Sequence, residues 1–308
     1  MKRALLSLLL ALPVRSYAGE GAAFLKLGVG ARAVGMGGAY TAIADDVNSM
    51  AWNPAGLSVL GKRELGAMHA ELAQQTRYDF VGYAQPSKYG TFAAGAVYLG
   101  HGSIEGRDAN GAPTGSYGAA DQAVSLGFAS RMSHDFRLGT NVKYIRSSIA
   151  NASAQSFALD LGGQYALAGV GGPGLPLLGL AVQNIGPGMK FLDQTSQLPL
   201  TLAAGLGYRL PVGLTVAMDF KQRPYGRESE FSVGTEYALL ANFALRAGYS
   251  RAEGSQSLPT GRGGTVSSAL SGFATGLGFK LRSYSLDYSF TPMGELGNVQ
   301  RLSLGARF

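Results

Sequence analysis

Three histidines and one contiguous Ser-His-Asp triplet are the residues of this 308-residue chain whose types could support catalysis. His69, His101 and His134 lie in separate segments, and Ser133, His134 and Asp135 are adjacent in sequence. Adjacent residues surround a turn, whereas a hydrolytic triad needs three side chains that form a relay. A metal site needs clustered ligands, and the chain has no cysteine. The sequence therefore favours a turn at the triplet and predicts no enzyme, no metal and no cofactor.

A glycine-rich stretch near the N-terminus is the second place where chemistry could occur. Gly28 and Gly30 could begin a dinucleotide-binding loop, but Ala33 stands where the third glycine is needed, and no strand precedes the stretch. Gly61-Lys62-Arg63 lacks the Ser or Thr of a phosphate-binding loop. Nucleotide binding is therefore disfavoured.

Composition and charge exclude several classes of protein. With 46% hydrophobic and 15% charged residues, the chain is neither disordered nor collagen-like, although it has 46 glycines. The formal charge falls from +7 to +4 if Lys2, Arg3 and Arg15 are removed with the segment described next. This small excess of positive charge does not indicate a nucleic-acid partner.

The first 18 residues are typical of a cleaved export signal. Lys2 and Arg3 precede an apolar stretch over 4–14, and Ser16-Tyr17-Ala18 places small residues where a signal peptidase requires them. A short buried helix is the alternative, but Pro13 would break it and the stretch cannot span a bilayer. We therefore predict a signal peptide at residues 1–18.

Beyond residue 63, apolar residues alternate with polar or small ones. Such a period of two predicts strands with two unlike faces. Most of the predicted strands are long enough to cross a bilayer, which takes about 9 to 11 tilted residues, and short turns alternate with longer loops, as in outer-membrane barrels. The fourteen predicted strands span residues 64–72, 76–86, 90–101, 120–131, 135–148, 154–167, 174–186, 199–210, 212–222, 229–239, 242–251, 267–281, 283–291 and 299–308.

A soluble β-sandwich would also alternate apolar and polar residues, but its polar face would be rich in Lys, Glu and Thr. The polar face here is instead rich in small residues, which indicates a crowded inner surface such as a plugged lumen. Its glycines are Gly127, Gly139, Gly162, Gly205, Gly207, Gly248, Gly276 and Gly278. Charged residues are expected to form ion pairs within the barrel wall: Asp121, Lys143, Asp160, Asp219, Lys221, Glu236, Arg246 and Lys280. Aromatics near strand ends are expected to form interfacial girdles: Tyr78, Tyr144, Tyr208, Tyr249, Tyr284 and Phe290.

The last strand ends the chain on an aromatic residue. Leu302, Leu304 and Phe308 share one face of this strand. The arrangement resembles the terminal strand by which bacterial outer-membrane barrels present themselves to the insertion machinery, and these three residues are the predicted insertion signal.

The stretch from Gly28 to Leu57 contains further candidate residues. Gly35, Gly37 and Gly38 would allow close backbone packing or a positive φ. Asn53-Pro54 predicts a turn or the start of a helix, while Asp45 and Asp46 could cap a helix or pair with cations in the lumen.

This stretch resembles the N-terminal region of the FadL superfamily of outer-membrane proteins, and most closely its PorV/PorQ branch. The resemblance rests on Gly-Ala-Arg-Ala-Val-Gly-Met-Gly-Gly-Ala at 30–39, Ala-Asp-Asp at 44–46 and Trp-Asn-Pro-Ala-Gly-Leu at 52–57. It implies a monomeric, all-β, 14-stranded antiparallel transmembrane barrel over 63–308, with residues 19–62 as a hatch in the lumen. The implied hatch and gating residues are Gly35, Met36, Gly37, Gly38, Asp45, Asp46, Asn53, Pro54, Ala55 and Gly56.

The resemblance implies two alternative functions. One is passage of small hydrophobic compounds across the bacterial outer membrane through the plugged barrel. The other is a secretion accessory that acts with the type IX machinery and binds cargo at the cell surface. The predicted loops at 103–119 and 251–266 are short, polar and rich in glycine, unlike the long, partly helical loops of the fatty-acid transporters, which disfavours long-chain fatty acids as substrate. The partners expected are outer-membrane lipid, the insertion machinery, and a hydrophobic small molecule or secretion proteins.

Overall fold

Fourteen antiparallel strands form a closed barrel in which each strand pairs with its neighbours in sequence and the last strand pairs with the first. The computed structural model describes residues 20–170, 172–253, 272–292 and 297–308, so the predicted signal at 1–18 and most of the predicted loop at 251–266 lie outside the described residues. The barrel strands are β1 Glu64–Glu71, β2 Arg77–Ser87, β3 Gly90–Gly100, β6 Ala119–Arg131, β7 Phe136–Ile149, β8 Ala152–Ala166, β9 Leu175–Ile185, β12 Thr201–Arg209, β13 Leu214–Arg223, β14 Glu228–Leu240, β15 Phe243–Glu253, β16 Phe273–Leu281, β17 Tyr284–Pro292 and β18 Asn298–Arg307. The predicted count of fourteen strands is confirmed.

Two further hairpins lie in connections that the sequence predicted as plain loops. The connection from β3 to β6 contains β4 Ile104–Arg107 and β5 Pro113–Tyr117, and the connection from β9 to β12 contains β10 Met189–Phe191 and β11 Gln194–Ser196. These strands are too short for a clear period-two pattern, which explains why the sequence did not reveal them.

The two faces of each barrel strand differ as the alternation predicted. In β1, for example, buried and exposed residues alternate from Glu64 to Glu71. Large apolar side chains point outward and are exposed, as a lipid-facing surface requires. They include Val81, Val124, Leu126, Val142, Phe157, Leu161, Leu180, Leu206, Phe220, Phe231, Leu277, Leu286, Leu302 and Leu304.

The ends of the barrel differ in the length of their connections. We call the end with the tight turns, such as Lys88–Tyr89 and Arg282–Ser283, the turn end. We call the opposite end, which carries the connections with the two small hairpins, the loop end. In outer-membrane barrels the short turns face the periplasm and the longer loops face the outside.

Residues 20–62, the N-terminal segment, fold into short helical turns instead of strands. These are α1 Ala31–Gly35, α2 Ser49–Trp52 and the 3-10 helices Ala23–Lys26 and Pro54–Val59. Asn53 is the N-cap of the second 3-10 helix, since its side-chain oxygen accepts a hydrogen bond from Ala55 N–H at 3.2 Å and Pro54 occupies the first position. No helix among the described residues is long and apolar enough to cross a membrane.

Candidate functional site

The candidate site is the contact between the N-terminal segment and the inner face of the barrel. Seven of the eight inward glycines that the sequence singled out would each collide with, or press closely on, the N-terminal segment if they carried a β-carbon: Gly127, Gly139, Gly162, Gly205, Gly207, Gly248 and Gly276. Gly278 differs, because its nearest neighbours are the side chains of Arg246 and Asp287. The small residues of the inner face therefore permit the backbone of the N-terminal segment to approach the strands closely.

The first group of predicted site residues, Gly35 to Gly38, packs against β14, β15 and β16. A β-carbon on Gly35 would lie 3.2 Å from the Cα of Gly276. Gly37 has φ +65° and Gly38 has φ +77°, a left-handed conformation that glycine adopts without penalty. Met36 is completely buried, and its carbonyl contacts Gly234.

The second group, Asn53 to Gly56, packs against β7 and β8. The Asn53 side chain is fully buried and donates hydrogen bonds to the carbonyls of Thr41 at 2.8 Å and Gly163 at 3.0 Å. Pro54 and Ala55 lie against Gly139. Gly56 leaves space for the carbonyl of Ala44, so this turn joins two parts of the N-terminal segment to the wall.

Asp45 and Asp46 are adjacent in sequence but have different partners. Asp45 pairs with Arg32 of the N-terminal segment and with Arg209 of β12, the latter at 2.7 Å. Asp46 accepts a hydrogen bond from the Tyr40 hydroxyl at 2.8 Å, and its other oxygen has no hydrogen-bond partner in the described structure. Only Asp45 therefore ties the N-terminal segment to an inward-facing cation of the wall by a close ion pair.

The different partners shift the pKa values of the two carboxyl groups in opposite directions. Burial raises the pKa of Asp45, but the positive charges of Arg32 and Arg209 outweigh burial, so the pKa lies below its usual value. Burial raises the pKa of Asp46, and the nearby charge of Asp45 raises it further, which outweighs the effect of Arg32.

Arg32 connects the N-terminal segment to a further strand. Its guanidinium donates to both carboxylate oxygens of Glu236 on β14, each at 2.8 Å, and Glu236 also accepts from Arg246 of β15 at 2.6 Å. Two ion pairs of the wall join residues that the sequence singled out: Glu236 with Arg246, and Lys143 with Asp160, where Nζ and Oδ2 are 2.7 Å apart. Lys221 is also paired, but its partner Glu230 was not among the predicted residues. Sequence analysis also missed Arg32 as a contact residue, although its position within the glycine-rich stretch was a signal.

Asp219 of β13 has a role that the sequence did not reveal. Its Oδ2 accepts hydrogen bonds from the Tyr40 and Thr41 backbone N–H groups at 3.0 and 2.9 Å and from the Thr41 hydroxyl at 2.6 Å. The sequence predicted an ion pair in the wall for this residue. Instead, one carboxylate oxygen anchors a turn of the N-terminal segment.

The remaining predicted residues lie away from this contact. His134 pairs with Asp135 at 2.8 Å on an exposed turn, and the Ser133 hydroxyl accepts from Phe136 N–H, so the triplet forms a turn and not a relay. His69 lies on the outer face, where it contacts Asp79 at 2.6 Å. The described residues contain no cluster of three His, Asp or Glu that could hold a metal.

The C-terminal residues lie on the outer face of the barrel as predicted, whereas one predicted girdle aromatic does not. Leu302, Leu304 and Phe308 are exposed on the outer face, and Phe308 exchanges two backbone hydrogen bonds with Arg63, at 3.0 and 3.1 Å. The interpretation of Tyr78 as a girdle residue was wrong. Its ring is buried on the inner face, and its hydroxyl donates to the carbonyl of Leu27, because its position in the alternation of β2 places it inward.

Cavities remain between the N-terminal segment and the wall in the described part of the chain. One, of about 170 Å³, lies toward the loop end and is lined by residues of the N-terminal segment, including Leu27 and Trp52, and by strand residues including Lys221, Thr291 and Arg301. Another, of about 130 Å³, lies toward the turn end beside Asp46 and Glu64. The N-terminal segment thus leaves small cavities inside the barrel.

A family model described as type IX secretion system protein PorV matches residues 15–217. The chain belongs to this family. No curated protein matches the chain in sequence.

Among solved structures, the PorV-family chain is similar to barrels of the FadL type. The toluene transporter TodX of Pseudomonas putida is 15% identical, with a TM-score of 0.62 over 95% of this chain and 98% of that chain. The monoaromatic hydrocarbon channel CymD is 15% identical, with a TM-score of 0.59 over 91% and 98%. A FadL homologue of Pseudomonas aeruginosa is 12% identical, with a TM-score of 0.58 over 90% and 97%.

These comparisons confirm the fold and the location predicted from the sequence. The PorV-family chain is an all-β, 14-stranded antiparallel barrel in the bacterial outer membrane, and its fold is similar to that of the FadL-type barrels. The matching family is named for a secretion protein, and the solved barrels of similar fold are described as transporters and channels.

Proposed function

We propose that this barrel admits small hydrophobic compounds from the loop end and that the N-terminal segment is a hatch that keeps the lumen closed at rest. The observation that carries this proposal is the cavity of about 170 Å³ toward the loop end, which Leu25, Leu27, Val29 and Trp52 line from the N-terminal segment. A concave site with apolar walls and a few polar groups is the usual form of a small-molecule site.

The dense contact with the inner face supports the role of a hatch. A fourteen-stranded barrel is wider than the eight-stranded barrels that side chains alone can fill. The N-terminal segment occupies this space through buried residues such as Tyr40, Met36 and Leu57, and through the hydrogen bonds to Asp219. The residues proposed to close or gate the barrel are Gly35, Met36, Gly37, Gly38, Asp45, Asp46, Asn53, Pro54, Ala55 and Gly56.

An uptake experiment tests the proposal. In a host with intact lipopolysaccharide, cells expressing the protein should take up radiolabelled benzyl alcohol faster than cells without it. Ala274→Leu, which fills the cavity from β16, should reduce this difference severalfold. Ala247→Leu, on the exposed face of the neighbouring strand, is the matched control and should leave uptake unchanged. Equal uptake with and without the wild-type protein would refute passage.

A second candidate function is an accessory role in type IX secretion, in which the barrel binds cargo at the cell surface. The family match over residues 15–217 favours this role. The hairpin of β10 and β11 offers a contact surface at the loop end, since Leu192 at its tip is 83% exposed. Burial of this side chain against a protein partner would remove its apolar surface from water.

Deleting the gene in a bacterium that also carries type IX components distinguishes the two candidates. If the barrel is an accessory, cargo should be lost from the cell surface, and complementation with Leu192→Glu should restore less cargo than wild type does. Val212→Glu, which changes an exposed residue at the turn end, is the matched control. Normal cargo display in the deletion strain would eliminate the secretion role.

A further inference from the structure

Arg301 of β18 is a buried cation without a carboxylate partner. The residue is 3% exposed, and its Nε and Nη1 atoms have no hydrogen-bond partner in the described structure. No Asp or Glu among the described residues forms an ion pair with it. A buried, unpaired charge is strongly unfavourable, so a partner that supplies a negative charge would be favoured.

Arg301 lines the same loop-end cavity as three other cations, Lys26, Lys221 and Arg223, but those three are paired. Lys26 lies 2.8 Å from Glu20 and 3.2 Å from Glu228. Lys221 lies 2.9 Å from Oε1 of Glu230, and Arg223 lies 2.8 Å from Oε2 of the same residue. Both oxygens of Glu230 are therefore occupied. The four cations thus have three carboxylates as partners, those of Glu20, Glu228 and Glu230, and Arg301 is the cation without an ion pair. One further negative charge would balance this cluster.

Besides these paired charges, the cavity has a second polar group without a partner and an apolar side. The hydroxyl of Thr291, which lines the cavity from β17, is buried and has no hydrogen-bond partner in the described structure. Opposite the strands, Leu27, Val29 and Trp52 of the N-terminal segment form an apolar wall. The cavity therefore combines the unpaired guanidinium, a free hydroxyl and the paired charges of Lys221, Arg223 and Glu230 with an apolar surface on the side of the N-terminal segment.

The size of the cavity limits the ligand. An apolar cavity of about 150 Å³ holds benzene in another protein. A cavity of about 170 Å³ is thus suited to a body the size of one ring that carries a small charged group. A planar carboxylate matches the fork of a guanidinium, which can donate two parallel hydrogen bonds to it.

We propose that the loop-end cavity binds a monocarboxylate with a compact apolar body, whose carboxylate pairs with Arg301 and accepts from the Thr291 hydroxyl. This inference rests on the proposed function, since it names the class of compound that the cavity holds. It explains why an arginine is buried opposite an apolar wall without an ion pair to any described acidic residue.

Trp52 provides a direct probe, because it is the chain's single tryptophan and lines the cavity. The purified barrel in detergent is titrated with benzoate, with its neutral counterpart benzyl alcohol and with chloride, while Trp52 fluorescence is recorded. Benzoate should bind roughly ten- to a hundredfold more tightly than benzyl alcohol, the range expected for a hydrogen bond to a charged group. This comparison requires no variant.

Variants then test whether Arg301 causes the preference for benzoate over benzyl alcohol. Arg301→Gln should lose the preference for benzoate but still bind benzyl alcohol. Arg301→Lys should keep part of the preference, because the charge remains and the fork is lost. Arg131→Gln, at the exposed turn end of β6, should behave as wild type.

The outcomes separate this inference from the proposed function. If benzyl alcohol binds and benzoate binds no more tightly, the carboxylate site is refuted, while the proposed binding of small hydrophobic compounds in this cavity is supported. If neither compound binds, both proposals fail. If chloride changes the fluorescence as strongly as benzoate and abolishes the preference, Arg301 pairs with a simple anion and the monocarboxylate site is refuted.

Discussion

Gly37 of the N-terminal segment and Gly248 of β15 meet backbone to backbone, with no space for a side chain on either residue. A β-carbon on Gly248 would collide with the Gly37 nitrogen, and a β-carbon on Gly37 would lie 2.7 Å from the nitrogen of Tyr249. Gly37 also has φ +65°. Two independent constraints, sterics and backbone conformation, therefore act on the same residue.

Gly37→Val should weaken the seating of the N-terminal segment. The positive φ alone costs about 1–2 kcal/mol for a residue with a β-carbon, and the clash with Tyr249 adds to this cost. We expect the variant to conduct ions in planar bilayers where the wild type is nearly closed. Gly61→Val is the control, because a β-carbon there meets nothing within 4 Å. A closed Gly37→Val barrel would show that this contact does not hold the N-terminal segment.

Removal of residues 20–57 should leave an aqueous path through the barrel. The fourteen strands enclose more space than their inward side chains can fill, since seven inward glycines face the N-terminal segment. Single-channel conductance should rise from nearly zero to that of an open pore. A deletion variant that folds, as judged by its heat-modifiable migration on gels, yet remains closed would refute the hatch.

Sequence reasoning was successful for the barrel because its signal is repeated. The period-two pattern recurs in every strand, so errors at single residues, such as Tyr78, do not alter the count of fourteen. The glycines of the inner face were also identifiable, because a solvated face would not be rich in glycine. The partners of Asp45 and Asp219 could not be predicted, since Arg209 and Thr41 approach them only after the barrel closes. Arg301 gave no signal, because an unpaired arginine differs from a paired one only in its three-dimensional surroundings.

Deletion of Phe308 should slow insertion into the outer membrane. The residue is exposed on the same outer face as Leu304 and exchanges two backbone hydrogen bonds with Arg63, so its loss shortens the seam between β18 and β1. Pulse-chase labelling should show slower acquisition of the heat-modifiable form and more periplasmic proteolysis. Phe308→Tyr keeps an aromatic ring and the backbone hydrogen bonds, and should insert at nearly the normal rate. Unchanged kinetics after the deletion would remove the proposed role.

Asp45→Asn should destabilise the seating of the N-terminal segment at neutral pH. The variant loses the ion pairs with Arg32 and Arg209, and for a half-buried pair we expect a loss on the order of 1–2 kcal/mol. Because the pKa of Asp45 is lowered in the folded protein, its stabilisation is present above the ordinary value of about 4 and is lost as the pH falls through the folded value. The melting midpoints of variant and wild type should therefore differ at pH 7 and converge in acid. A constant difference at all pH values would contradict this assignment.

Asp46→Asn should have the opposite effect. Burial and the charge of Asp45 raise the pKa of Asp46, so its ionised form is disfavoured in the folded protein. A carboxyl group whose pKa is raised in the folded protein contributes its full stabilisation at pH values below its ordinary pKa of about 4. This stabilisation is lost as the pH rises through the pKa of the folded state. At pH 7 the neutral amide avoids the cost of a buried charge and can still accept the hydrogen bond from Tyr40, so the variant should melt at the same temperature as wild type or higher. The advantage should vanish as the pH falls below about 4, where Asp46 is protonated in the wild type as well. The melting midpoint of each variant is measured from its heat-modifiable migration on gels. If Asp46→Asn destabilised the barrel at pH 7 as much as Asp45→Asn does, the two carboxylates would act alike.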